Sequence, residues 1–580
     1  MIISPTPQEK RLGKLLRIIS IFAIAFCSIL LFPQMRNYII YIGEKAIWPT
    51  PINHDLWVER LLYFLLAVIL CFICVLLSTI RNVQTFLDMH IKSRENIFIF
   101  FSIVIIMMSI IVRIVMYVKS RSLWGDEAML AENFVTRNWF ELLVPPLSNG
   151  QSVPVLYAIS VKLFGLIFGY SEFSLRFFSL LSFIGLLVCE TIFLKRALGY
   201  GNFQIAFVVA VTSLLPAYIW YSNELKPYMS DAFFVVLIVL LYFYYIQNKM
   251  KLSTLTVLYI LILGFSTPAI FFIAGILLFE FFSAIYNKNK KLIIHVLISG
   301  LIVLVVFGLY YYWWLSPIQT IMESVWGDYN KQYNMLTRIL LIFSPRIGYS
   351  NSLFIILFIP FSILGFLTMC KSKNKIAYSI ILSLLFAILA SAMGYWPMAG
   401  RLWLFLPVII LVFTPVGIDF VHIKINREKI SKAMEFFFFT AILFSLAINC
   451  LGYIGYKTYF PKHELNPLIE YVQRNIKDDE ELYVYPAAKF AFGFRNGYTV
   501  TKIGNVNNNN IIFGRNQSEW GENSLGSDLS TILEYKKVYL ISYWYEVDND
   551  LKLLRDYGTI TEVLNINDTP LYYFERRENN

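Results

Sequence analysis

The sequence predicts a polytopic α-helical membrane protein of about 13 transmembrane helices. Surface helices are expected in its first large outer loop, and a small extracytoplasmic α/β domain at the C-terminus. Three observations carry that expectation. The 580-residue chain is 58% hydrophobic and only 15% charged, where soluble domains hold about a quarter charged residues. Apolar runs of roughly 20 residues, enough to cross a bilayer, recur along most of the length. From Lys457 onward the composition turns abruptly polar.

The formal net charge of +11 does not mark a nucleic-acid binder. The basic residues fall in short clusters between apolar runs, which is the pattern of membrane topology. All six cysteines (Cys27, Cys71, Cys74, Cys189, Cys370, Cys450) lie inside apolar runs, so no disulfide framework is implied. CFIC at Cys71–Cys74 reads as helix packing, since free cysteine behaves as a small hydrophobe.

In chain order, Leu15–Phe32 follows Lys10, Arg11 and Lys14 without a small-residue cleavage site, and reads as a retained first span. Lys and Arg in short loops favour the cytoplasmic side. That places Arg81–Glu95, Lys195–Arg196, Lys249–Lys251, Lys288–Lys291, Lys371–Lys375 and Lys424–Lys432 inside. Val153–Gly169 spoils the alternation if counted as a span, because the basic Lys195–Arg196 loop would then lie outside. It is short, and Lys162 near its middle would cost several kcal/mol in lipid. It is therefore expected to be an amphipathic helix at the outer surface or re-entering it. The N-terminus is then inside, the C-terminus outside, and four loops face outward: Lys119–Leu175, Tyr221–Ser230, Trp313–Ser350 and Gly394–Arg401.

After a last span at Phe436–Tyr456, Lys457–Asn580 alternates helical and strand-like patterns. Leu465–Ile476 has helical spacing, and Leu482–Tyr485, Lys537–Ile541 and Leu571–Phe574 read as strands. Asn507–Asn510 reads as a loop, and Lys477–Glu481 (KDDEE) as a solvated charge run.

The outer loops hold the candidate chemistry. Asp126 and Glu127, in SLWGDEAML, begin a segment with helical spacing. The helix dipole accounts for one acid in a first turn, but a second carboxylate at a membrane–water boundary carries a desolvation cost. Burial that raises a carboxyl pKa suits a general base near neutral pH. The short loop YSNELKPYMSD supplies Glu224 and Lys226 between Tyr221 and Tyr228, with Asp231 beginning the next span. In GYWPMAGRLWLFLP the single cation Arg401 either snorkels to phospholipid headgroups or binds a phosphate bidentately. The histidines are scattered away from these loops. No zinc-protease motif, phosphate-binding loop or dinucleotide fingerprint stands in a workable context, and the D-x-D at Asp548 and Asp550 reads as a turn before a helix. Acids and cations at an outer face fit an amphiphile with a charged head, such as a lipid-linked phosphate.

SLWGDEAMLAENF, ELLVPPLSNGQSVPVLYAISVKLFG and YSEFSLRFFSLLSFIGLL together resemble the opening of family-39 glycosyltransferases. These are membrane enzymes of the C superfamily, related to protein O-mannosyltransferases and the aminoarabinose transferase of lipid A. YSNELKPY and GRLWLFLP resemble later landmarks, so the likeness runs from about Asn96 to Tyr456. It divides the chain into extra spans (1–95), a membrane glycosyltransferase core (96–456) and an extracytoplasmic α/β domain (457–580). The resemblance implies a plasma-membrane protein with a polyprenyl-phosphate sugar donor, undecaprenyl in bacteria or dolichyl in eukaryotes and archaea, and a hydroxyl acceptor on protein, lipid or glycan. It implies Asp126 as catalytic base, Glu127 in support and Glu224 as a further acid of the site. Lys226 and Arg401, and more weakly Arg176, are the implied phosphate ligands, with Trp124, Gln151, Tyr221 and Tyr228 lining the cavity. The sequence marks no definite cofactor, and a divalent metal stays open. Two extra spans before the acid-bearing loop depart from the family pattern, as does Val153–Pro154 in place of paired prolines. The rival readings are a transporter or flippase, which would lean on Glu190 and Glu280 within the membrane, and a polymerase of lipid-linked glycans.

Overall fold

The computed structural model describes residues 94–119, 121–318, 352–372, 374–397, 400–425, 464–486, 488–497, 511–514, 528–542, 547–566 and 569–577. The chain forms two compact units, residues 1–104 and 105–580. Of the first, the described part is the start of helix α1 (Arg94–Lys119); the remainder of α1 and every later element belong to the second. The expected spans Leu15–Phe32 and Phe436–Tyr456, most of the Trp313–Ser350 loop and Asn507–Asn510 lie outside the described residues.

Among the described residues, six helices are long and apolar enough to cross a membrane: Phe98–Val118, Glu172–Arg196, Tyr228–Ile246, Ala269–Tyr286, Lys290–Ile318 and Lys375–Ala392. Val118, Val188 and Leu304 are exposed on their outward faces, an arrangement suited to hydrocarbon and costly in water.

The loop after α1 folds into three helices, α2 (Gly125–Thr136), α3 (Trp139–Leu142) and α4 (Val155–Phe168). At 14 residues, α4 is about 21 Å long, short of the roughly 30 Å of a hydrocarbon core. Lys162, anomalous in an apolar run, is buried, and its Nζ donates to the carbonyls of Phe134 and Arg137 at 2.7 and 2.6 Å. Those carbonyls close α2, where a helix leaves acceptors unpaired and its dipole favours a cation. The first turn of α4 is pinned from another side. Leu156 N donates to Gly264 O at 2.6 Å, just beyond α9 (Leu252–Leu263), and a Cβ on Gly264 would lie 2.5 Å from Leu156 Cγ.

Helix α5 (Glu172–Arg196) comes next, then α6 (Asn202–Leu214) and α7 (Pro216–Tyr221). Pro216 cannot donate a backbone hydrogen bond, so α6 ends and α7 restarts with proline in its first turn. The break aims Trp220 and Ser222–Lys226 at the first loop. Helix α8 (Tyr228–Ile246) leads away, followed after α9 by α10 (Ala269–Tyr286) and α11 (Lys290–Tyr310). Helices α12 (Ser352–Lys371) and α14 (Leu406–Ile425), separated by α13 (Lys375–Ala392), cross where Gly365 and Gly417 face one another. A Cβ on either would strike backbone, that of Phe413 or of Phe361. Small residues permit such contact between helices in a membrane.

Residues 464–577 include α15 (Asn466–Asn475), β1 (Glu481–Val484), α16 (Lys489–Asn496), β2 (Ile511–Phe513), α17 (Leu529–Ile532), β3 (Lys537–Ile541), α18 (Val547–Arg555), β4 (Gly558–Ile566) and β5 (Thr569–Arg576). The strands form one sheet in the order β2-β1-β3-β5-β4, parallel for β2-β1-β3 and antiparallel for the rest. Strands β2 and β4 go beyond the three expected. The first is three residues long, and the second lacks clean alternation of buried and exposed side chains. Asp548–Asp550 lies in the first turn of α18, not in a turn before a helix. Side chains alternate across the sheet with period two. Tyr483, Val538, Leu540 and Phe574 pack with Leu551 and Leu554. Leu482, Val484, Tyr539 and Ile541 share a core with Leu465, Phe490 and, from the first loop, Leu123, Ala128 and Leu130. The polar segment is thus continuous in packing with the loop that bears the acid pair.

Replacing Gly417 with Val would force α12 and α14 apart. The expected result is a loss of about 1–3 kcal/mol, as for other overpacked sites, read as a lower midpoint of thermal unfolding in detergent, while Gly300→Ala, with open space around its Cα inside α11, does not lower the midpoint.

Candidate active site

The acid pair opens α2, with Trp124 as N-cap, and the two carboxylates turn to different partners. Glu127 is fully buried. Arg176 of α5 grips it side-on with one edge of its guanidinium, Nε to Oε1 at 2.9 Å and Nη2 to Oε2 at 2.7 Å. Arg121 Nη1 lies 3.0 Å from Oε2, and Leu225 N donates to Oε1 at 2.7 Å. Trp124 N reaches Oε2 at 3.4 Å, so Glu127 also fills the helix-capping role. Burial pushes its carboxyl up, but Arg121, Arg176 and the Leu225 amide outweigh that and hold it below the ordinary value.

Asp126 is 26% exposed at its side chain, which makes it the acid of the pair that a substrate can reach. Lys226 Nζ is 3.1 Å from Oδ1, Gln151 Nε2 donates to Oδ1 at 3.0 Å, and Arg401 Nη1 is 3.8 Å from Oδ2. Lys226 also donates to Gln151 Oε1 at 2.7 Å, closing a triangle of acid, amide and amine. Burial acts upward on the Asp126 carboxyl, but Lys226 and Arg401 prevail and keep it below the ordinary carboxylate range. The sequence predicts a carboxyl raised by burial; for Asp126 the two cations reverse the direction.

The raised acid is Glu224. Its Oε2 accepts from Trp220 Nε1 at 2.5 Å, its Oε1 has no hydrogen-bond partner among the described residues, and burial with the nearby Glu127 lifts it to about 7 against Arg121, Arg401 and Lys226. Its backbone is fixed by Ser179 Oγ, which donates to the Glu224 carbonyl at 2.7 Å.

Asp126, Glu127, Glu224, Lys226, Arg401 and Gln151 therefore converge from four separated stretches of chain. Tyr228 lies beneath Arg401, its ring centroid 5.7 Å from Cζ, and Tyr221 packs edge-on against Tyr228 at 5.2 Å. Trp124 contributes its backbone to Glu127. Arg176 departs from its expected part: bound to Glu127 and to the carbonyls of Arg121 and Ser122, it holds an acid in place of a phosphate.

Several residues of the site carry no mark in the sequence that singled them out. Arg121 belongs to the second charge layer, stacked over the Trp220 ring at 4.7 Å; a cation five residues before Asp126 was the available signal. Arg113, buried in α1, donates from Nε to Ser222 Oγ at 3.1 Å and lies 3.6 Å from the Phe183 ring centroid, bracing the loop that carries Glu224. Glu464 accepts from Ser122 N and Oγ at 3.4 and 3.3 Å, Asn466 N donates back to Ser122 Oγ at 2.9 Å, and Asn466 Nδ2 donates to Glu172 at 2.9 Å. No local pattern marks these long-range partners. Among the described residues, no group of three or more His, Cys, Asp and Glu is arranged to hold a metal ion.

The buried cluster gives stability a definite pH dependence. Glu127, held below its ordinary value, contributes stability that is complete above about pH 5 and lost as pH falls through its folded-state pKa. Glu224, held up at about 7, acts oppositely, and stability declines as pH rises from about 4.5 toward that value. Thermal unfolding of the purified protein should show both limbs, and Glu224→Gln should remove the alkaline one. Glu127→Gln should cost about 3–5 kcal/mol, since it leaves two buried guanidinium groups uncompensated.

No family model and no curated protein matches the sequence. Among solved structures, the chain is similar to ArnT from Cupriavidus metallidurans in the apo state, at 10% identity and a TM-score of 0.46, over 80% of this chain and 95% of that one. It is similar to the same protein bound to undecaprenyl phosphate, at 10% identity and a TM-score of 0.47, over 81% and 97%. It is also similar to the archaeal oligosaccharyltransferase AglB from Archaeoglobus fulgidus in complex with an inhibitory peptide and a dolichol-phosphate, at 12% identity and a TM-score of 0.40, over 79% and 72%.

Proposed function

We propose that this chain transfers a sugar from a polyprenyl-phosphate donor to a hydroxyl acceptor at the extracytoplasmic membrane face, with Asp126 as general base and inversion at the anomeric carbon. The observation that carries the reading is the accessible carboxylate of Asp126 held between Lys226 and Arg401. A phosphate entering beside Asp126 meets two cations within reach of one another. As it draws them off, the restraint on the carboxyl relaxes and its basicity rises. Donor binding in this way arms the base.

The acceptor hydroxyl then gives its proton to Asp126 as its oxygen bonds to the anomeric carbon. The bond from that carbon to the phosphate oxygen breaks, and the polyprenyl phosphate leaves with the electron pair, its charge balanced by Lys226 and Arg401. That leaving group is already ionised, so no acid has to protonate it. Glu127 keeps α2 in place, and Glu224 sets the charge of the site near neutral pH. The family-39 resemblance of the loops supports the same assignment. The transporter reading leans on Glu190 and Glu280, but each is engaged by a neighbouring helix, through Thr212 Oγ1 at 2.8 Å and Tyr242 OH at 2.6 Å.

Asp126→Asn should lower transfer from labelled polyprenyl-phosphate sugar by about 100-fold or more in membranes that hold normal amounts of protein; full activity in that variant refutes the proposal. Ionisation of Glu224 adds negative charge beside the phosphate, so KM for the donor should rise as pH passes through about 7. In Glu224→Gln that rise should vanish.

A further inference from the structure

Behind the loop that carries Glu224 and Lys226, a second group of buried polar atoms converges on Asp231 in the first turn of α8. Backbone contacts assemble it. Leu156 N at the start of α4 donates to Gly264 O, and Ser230 Oγ at the start of α8 reaches Phe265 O at 3.4 Å. The turn at residues 264–267 thereby draws Tyr157, Asp231 and Ser266 together, with Tyr310 at the end of α11 alongside. Tyr157 and Ser266 are wholly buried and Asp231 nearly so. Ser266 is within side-chain hydrogen-bonding reach of Asp231, Ser179 of Tyr157 and Thr267 of Tyr310. Yet none of these contacts has normal hydrogen-bond geometry, and among the described residues Tyr157 OH, Asp231 Oδ1, Ser266 Oγ and Tyr310 OH have no other partner. Buried polar atoms are paired in more than about nine cases in ten, so three under-bonded hydroxyls around one under-bonded carboxylate oxygen form a site built for something else to complete.

The group adjoins the acid site. The charges of Glu127, Glu224 and Asp231 all act on the Tyr157 hydroxyl, and the side wall is aromatic, with Phe265 stacked between Phe178 and Phe234 at 5.8 and 4.9 Å. Hydroxyl groups able to donate or accept, one carboxylate and an apolar wall are the chemistry that recognises a sugar ring.

We propose that the Asp231 cluster is the subsite for the sugar of the lipid-linked donor, with Asp231 accepting from the ring's hydroxyl or amino groups and Tyr157, Ser266 and Tyr310 completing its hydrogen bonds. This rests on the glycosyl-transfer reading. It assigns the phosphate to Lys226 and Arg401 and the choice of sugar to a separate group of residues. A site built to hydrogen-bond a substrate rejects the analogue that cannot answer.

The test measures binding of two probes to the purified full-length protein: decaprenyl phosphate, and decaprenyl phosphate bearing mannose, glucose or galactose. Wild type should prefer at least one sugar-bearing lipid to the bare one. Asp231→Asn and Tyr157→Phe should erase that preference by about tenfold, as expected for about 1.4 kcal/mol, with affinity for bare decaprenyl phosphate unchanged. Tyr310→Phe, at a partly buried position, serves as the variant least disturbing to folding. Loss of affinity for both lipids alike, or an undiminished preference, overturns the subsite, as does a wild type that binds both lipids equally. A wild type that binds neither lipid defeats the donor reading, and the subsite with it.

Discussion

The buried ion cluster around Glu127 is the constraint on which the rest of the site depends. A carboxylate with no exposure is tolerable only when fully partnered, and Glu127 obtains its partners from three stretches of chain: Arg121 before α2, Arg176 on α5 and the Leu225 amide in the second loop. Satisfying that one acid fixes the first loop, the following span and the second loop relative to one another. Asp126, one residue away, is thereby carried to Lys226 without needing a rigid environment of its own.

The division of labour follows from geometry. Successive residues in the first turn of a helix point about 100° apart, so one acid of the pair turns into the protein and the other toward the opening. The inward one takes two guanidinium groups; the outward one takes an amine and a more exposed arginine. Glu224 takes an indole N–H and no cation at contact distance among the described ion pairs, which leaves burial to dominate its carboxyl. Of the three carboxylates in one site, two are thus held ionised by their cations and one is lifted toward neutrality by burial.

The polar C-terminal sheet belongs to this scheme as well. Its inner face and α16 pack on the same core as Leu123 and Ala128, and Glu464 and Asn466 clasp Ser122. The short segment leading into the acids is therefore held from the helices on one side and from the sheet on the other. Lys162 closes the far end of α2, so the helix bearing the acids is tied at both termini.

Composition and apolar periodicity determined the membrane class, because burial in lipid demands long uninterrupted apolar helices and leaves an unmistakable record in one dimension. The same record isolated the three short stretches that hold Asp126, Glu224 and Arg401, since charges are rare in such a chain and each stands out where it falls. What one dimension lacks is the pairing. Arg176 and Lys226 are both single cations near an apolar helix, but one lies against a sealed carboxylate and the other against an open one. In sequence Asp231 is an ordinary first-turn acid; only α4 and the 264–267 turn, brought beside it, make it the centre of a polar cluster. The direction of the Asp126 shift was likewise decided by two cations 100 and 275 residues away in sequence. Charge–charge energies depend on distance and dielectric in space, and only the tertiary structure sets those.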